Sequence, residues 1–90
     1  MFLHIGGDYQ VPIRLIIGIF DFDEITREAN PYMINTLARL EEQFVLETVS
    51  PDIPRSLIIS VDRVYLSPIN SITLEARLKN MYSLGSIEEI

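Results

Sequence analysis

Residues 56–68 read SLIISVDRVYLSP. The first six, 56–61, are rich in Ile and Leu and read as a strand. Asp62-Arg63 makes a tight connection, and Val64-Tyr65-Leu66 follows as a second strand, so a hairpin is expected. Ser67-Pro68 stops it, because proline cannot donate to a ladder. Just downstream, Asn70 or Ser71 is placed to cap a last helix, in which Leu74, Leu78, Met81 and Tyr82 form an apolar stripe. Residues 83–90 carry Gly85 and Glu88-Glu89 and are expected to fray as a tail, leaving 1–82 as a single domain.

Working upstream, residues 44–49 (FVLETV) read as a strand, and Pro51 and Pro54 fence off a loop at 50–54. Asn30-Pro31 is a helix start, since Asn caps orphan amides and Pro is pre-set for the first turn. Met33, Ile34, Leu37, Leu40 and Phe44 then recur at helical spacing, predicting an amphipathic helix over 31–43. The run 16–22 is nearly continuous in apolar character and reads as a strand buried on both faces. Residues 1–5 and 9–13 read as two further strands around the turn signal Gly6-Gly7-Asp8. Pro12 puts the second at an edge, and Arg14-Leu15 makes a bend. The expectation is an α+β domain in the order β-β-β-α-β-β-β-α, with a small antiparallel or mixed sheet and two helices.

Composition bounds the function. The chain has 90 residues, with 7 Lys and Arg against 13 Asp and Glu, for a formal charge of −6. That balance argues against a generic nucleic-acid coat, which needs concentrated positive charge. Cysteine is absent and His4 is the single histidine, which removes disulfides, thiolate sites and multi-histidine metal centres. No basic segment precedes a long apolar run, so a cytoplasmic protein without a membrane span is expected. Branched aliphatics are abundant: 14 Ile, 10 Leu and 5 Val, beside only 3 Ala. A domain this small hides only about 60–65% of its unfolded surface. Some of these side chains are therefore expected to face another copy of the chain.

Few residues offer chemistry. Asp21, Asp23 and Glu24 cluster at a strand end, but no further acidic ligand follows at a loop spacing. Asp21 and Asp23 are expected on one side of that strand end, as solvated charges that block edge pairing. Gly6-Gly7 lacks the third glycine and the helix of a dinucleotide loop, and the Lys of a phosphate loop. His4 has no catalytic neighbours at a useful spacing. No enzyme, cofactor or metal is expected. The cations are Arg14, Arg27, Arg39, Arg55, Arg63, Arg77 and Lys79, and arginine suits bidentate phosphate contacts. Arg14, Arg55 and Arg63 fall at strand ends or loops, where a side chain reaches outward. Arg39 and Arg77 lie on helices, available to neighbouring carboxylates or to another subunit.

Leu66-Ser67-Pro68, four residues, Thr73-Leu74, two more and Arg77 resemble the terminal signature of the bacterial extracellular matrix regulatory protein family. Ile5-Gly6, Val11 and the run Ile16-Ile17-Gly18-Ile19 fit as well, so the likeness extends from Met1 to about Tyr82. Gly18-Ile19-Phe20-Asp21-Phe22 and Ser67-Pro68 bring it closer to the RemB-like branch. The resemblance implies a small DNA-binding regulator of biofilm-matrix and osmoprotection genes. It also implies a fold like LytTR-type DNA-binding domains, and closed rings of the kind formed in the RemA-like branch. Family members place a loop arginine near the second strand, and an arginine pair before the later hairpin, against DNA. Here the first corresponds to the Arg14 neighbourhood, displaced by one position. The pair is replaced by Asp52-Ile53-Pro54, with Arg55 next door.

The sequence thus points to an oligomeric cytoplasmic regulator that meets DNA through Arg14, Arg55 and Arg63, multiplied by assembly. A protein-interaction module with a reduced DNA surface, working through a protein partner, is the alternative.

Overall fold

The computed structural model describes residues 1–26, 31–43 and 45–89. The expected hairpin is present as β5 (Ser56–Ser60) and β6 (Val64–Ser67), paired antiparallel with Ile58 opposite Tyr65. Ser60 clasps its turn: the hydroxyl donates to the Arg63 carbonyl at 2.7 Å and accepts the Arg63 amide at 3.2 Å. On one side of the hairpin lies β3 (Ile16–Asp21), antiparallel to β5; on the other lies β4 (Leu46–Thr48), parallel to β6. The sheet order is β3-β5-β6-β4, a mixed four-stranded sheet. Because β4 lies beside β6 and not β5, the loop fenced by Pro51 and Pro54 must carry the chain past the end of β6.

β1 (Phe2–Gly6) and β2 (Tyr9–Pro12) form a separate two-stranded sheet. One sheet was expected; two are found, because β2 pairs with β1 alone and then bends through a 3-10 turn at Ile13–Leu15. Gly6 and Gly7 make the hairpin turn with φ of 119° and 53°, values that side chains disfavour. A Cβ on Gly6 would also meet Pro68 Cδ at 3.1 Å and Val49 Cγ1 at 3.3 Å. Conformation and close approach both require glycine there.

Three helices are found where two were expected. The extra one, α1 (Phe22–Thr26), begins directly at the end of β3. Asp21 caps it, its Oδ1 accepting the Glu24 amide at 3.1 Å, and Asp23 and Glu24 occupy the first turn. Carboxylates belong there, against the positive end of the helix dipole. Asp21 and Asp23 therefore do not share one side of a strand end. The second helix, α2 (Pro31–Glu42), starts at the proline as expected; Asn30 and Phe44 lie outside the described residues. Its stripe is only partly covered, with Leu37 and Leu40 half-buried and Ile34 exposed. The last helix, α3 (Ser71–Glu89), is capped by Asn70, whose Oδ1 accepts the Thr73 amide at 2.8 Å. Leu74 is fully buried and Leu78 and Met81 half-buried, while Tyr82 is exposed.

Strand alternation assigns the two faces of the four-stranded sheet. Ser56, Ile58 and Ser60 share one face with Ile19, Tyr65, Ser67, Glu47 and Val49. Leu3, Ile5 and Val11 of the hairpin and Leu74 of α3 close over it, making one core with Ile58 and Val49. On the opposite face Gly18, Ile59, Val64 and Leu46 stand in register across all four strands. There Ile59, Val64 and Leu46 are only half-buried. The reading of 16–22 as buried on both faces fails here: Ile17 is 67% exposed and Phe20 42%. β3 is an edge strand, and no described element seals its outer face. The molecule measures 44 × 24 × 22 Å, with a radius of gyration of 13.7 Å, against about 12 Å for a compact chain of this length. Its accessible surface is 6316 Å², against about 5,400 Å² for a compact monomer of this mass.

Candidate nucleic-acid interface

Arg14 sits exposed in the 3-10 turn between β2 and β3. Two backbone bonds fix that turn: Ile13 N–H donates to the Met1 carbonyl at 3.0 Å, and Leu15 accepts the Val61 amide at 2.9 Å. The second bond ties it to the β5–β6 turn, so Arg14 and Arg63 stand at the same end of the sheet. Arg55 stands at the other end, where its amide donates to Ser67 O at 2.7 Å and its carbonyl accepts the Phe22 amide at 3.0 Å. The five residues of β5 separate the two ends by about 16 Å. Of the three expected contact residues, the fold brings two together and sets the third apart.

The two neighbours differ in what holds them. Arg14 is exposed and forms no ion pair among the described residues. Arg63 donates from Nη1 to Glu47 Oε1 at 2.6 Å, with the two side chains 40% and 32% exposed. The other carboxylate oxygen of Glu47 accepts the Tyr9 hydroxyl at 2.9 Å. Tyr9 in turn meets Tyr65 edge-on, with ring centroids 6.2 Å apart. One carboxylate thus joins β2, β4 and the start of β6. The bond to Glu47, and then its negative charge, hold the Tyr9 phenol above its ordinary pKa. Burial, followed by the nearby Asp62 carboxylate, raises Tyr65 as well.

Glu47 and Tyr9 were not legible as partners of Arg63. They lie 16 residues before it and 54 before it, and the parallel β4–β6 register that joins them leaves no local pattern. The other cations are placed elsewhere. Arg39 is exposed on α2, Lys79 is exposed on α3, and Arg27 lies outside the described residues. Arg77 Nη1 donates to the His4 carbonyl at 3.2 Å, engaging the outer edge of β1. His4 is an exposed strand residue whose Nε2 lies 2.8 Å from the Gly7 carbonyl. Among the described residues no group of three or more His, Cys, Asp or Glu is arranged to hold a metal, and no helix is long and apolar enough to cross a membrane.

The residues that carried the family resemblance meet in space. Ser67 Oγ donates to the Ile5 carbonyl at 2.6 Å, fully buried, and accepts the Ile69 amide at 3.0 Å. Pro68 packs against Gly6, Leu74 fills the core beneath, and Arg77 reaches back to β1. Ile5-Gly6 and Ser67-Pro68 are the two sides of one seam, where the hairpin sheet joins the rest of the fold. These residues hold the molecule together.

No protein-family model matches the chain. It is 31% identical over 86 residues to the extracellular matrix regulatory protein B of Bacillus subtilis, covering 96% of this chain and all of that one. At that identity and coverage the chain belongs to the extracellular matrix regulatory protein family.

Proposed function

We propose that the protein is a cytoplasmic transcription regulator that binds DNA as a homo-oligomer, through backbone contacts made by loop arginines. The observation that carries this reading is the exposed Arg14, held on a fixed turn beside the β5–β6 turn that bears Arg63. The turn fixes the backbone that carries Arg14, and its planar guanidinium suits a bidentate phosphate contact. Arg55, at the other end of β5, is a separate contact in this reading. The regulatory name of the Bacillus subtilis relative fits a protein that acts by binding.

One or two phosphate contacts per protomer are weak by themselves, and the −6 charge opposes them. Assembly answers both difficulties. Repeating the contact on linked copies raises avidity by about 10²-fold or more. The area in excess of a compact monomer is of the order that one partner gives to a standard interface, roughly 800 Å². The half-open face that carries Ile59, Val64 and Leu46 supplies apolar surface for it.

Fluorescence anisotropy with a labelled duplex at low salt tests the reading. Binding that steepens with falling salt and weakens in Arg14→Gln supports it. No binding below about 100 μM protein contradicts it, since that is the weak limit of nonspecific association. In that case the alternative gains: an assembly module acting through protein partners, favoured by the engagement of Arg63 with Glu47 and by the distance of Arg55 from the other two.

A further inference from the structure

We infer that Glu47 is a built-in competitor for phosphate at Arg63, and so sets how many arginines each protomer brings to a nucleic-acid backbone. The inference rests on the proposed DNA contact and specifies its regulation. Both oxygens of the carboxylate are engaged, one by Arg63 at 2.6 Å and one by the Tyr9 hydroxyl at 2.9 Å. The Tyr9 bond anchors Glu47 to the hairpin sheet, so the carboxylate does not swing away when an anion approaches. A second acidic side chain belongs to the same turn: Ser60 Oγ lies 3.1 Å from Asp62 Oδ1. Arg63 is thus matched by Glu47, with Asp62 on the same turn, while Arg14 stands nearby without an ion pair among the described residues.

A guanidinium already matched by a carboxylate attracts a polyanion weakly. Arg63 remains 40% exposed, so the guanidinium is within reach of a phosphate while its charge is already matched. Exposed ion pairs of this kind are worth little, which makes the pair exchangeable. Removing the Glu47 charge by substitution leaves the Arg63 guanidinium unmatched and free to meet a phosphate.

The test compares the full chain with Glu47→Gln, Arg63→Gln and the double variant, in anisotropy titrations of one labelled duplex between about 50 and 200 mM salt. Glutamine keeps an acceptor for Tyr9, and thermal melting beside each titration verifies that all four proteins are folded. Glu47→Gln is expected to bind about 3-fold tighter or more per engaged protomer, as removal of one charge near a phosphate at high dielectric gives. Its salt slope should steepen by about 0.9 for each new phosphate contact. Arg63→Gln alone removes one positive charge and leaves Glu47 unmatched, so it should weaken binding by about 3-fold, and the double variant should lose the gain. If the parent protein binds and Glu47→Gln binds with the same affinity and slope, the inference fails while the DNA reading stands. A gain that survives in the double variant also overturns it, because the gain then does not pass through Arg63. If none of the proteins binds DNA, both readings fall together.

Discussion

The two faces of the four-stranded sheet are made of similar residues and are covered unequally, although Leu57 on the less covered face is also buried. On one face Ile58 is fully buried beneath Leu3, Ile5 and Leu74. On the other, its neighbour in sequence, Ile59, is half-buried in a row with Val64 and Leu46. Nothing in Leu57-Ile58-Ile59 distinguishes the two isoleucines. The difference comes from what covers each face: the hairpin and α3 pack over the first, while Ile59, Val64 and Leu46 on the second stay half-buried. The half-covered row is one of several places where apolar side chains meet solvent, beside Ile53, Val61 and Ile72, and the comparison can be broken by asking what each face contributes.

The largest expected effect is on the sealed face. Ile58→Ala should destabilise by about 2–5 kcal/mol, as buried large-to-small changes do, measured by chemical denaturation. Ile59→Ala should cost the isolated fold clearly less and should instead reduce the size of the assembly, read by size-exclusion chromatography. Equal losses of stability at the two positions, with assembly size unchanged, would remove the contrast.

Next is the seam that supports the sealed face. Gly6→Ala should cost about 1–3 kcal/mol, from the positive φ together with the approach of Pro68 and Val49. A melting temperature equal to that of the parent protein would show that the seam is more yielding than its geometry implies. On the open side, Gly18→Ala brings a Cβ within 2.8 Å of Phe20 Cε2. That ring is 42% exposed and has room to turn, so the cost should be about 1 kcal/mol or less, again measured by thermal melting.

The smallest effect sharpens the link between the sheets. Tyr9 and Tyr65 have folded-state pKa values above the ordinary 10.0. The unfolded chain therefore releases these protons first, so the contribution is fully present below about pH 10 and is lost as pH rises through the folded values. Stability should be level up to about pH 9 and decline above 10. Tyr9→Phe should make that decline shallower, and an identical alkaline profile for the variant would contradict the bond to Glu47.

Much of this architecture was legible in local sequence. The β5–β6 hairpin, the Asn70 cap, the proline start of α2 and the Gly6-Gly7 turn each follow from residues within a few positions of one another. What was not legible depends on distant pairings. Residues 16–22 read as a doubly buried strand because an apolar run does not reveal that its strand lies at an edge. The helix α1 was hidden because Asp21, Asp23 and Glu24 read equally well as a solvated strand end. Arg63 read as free because Glu47 reaches it only through the parallel pairing of β4 with β6. The family signature was visible, but its physical meaning was not: Ser67 and Ile5 are 62 positions apart, and only the fold shows that they form one joint.

The central claim is that the half-open face is closed by further copies of the chain, which then present their arginines together. Native mass spectrometry tests it most directly. The account expects a discrete species at a multiple of the 10.3 kDa protomer mass, and it expects substitution of Ile59 or Phe20 by serine to shift the population toward the protomer. A single species at 10.3 kDa across micromolar concentrations would contradict it.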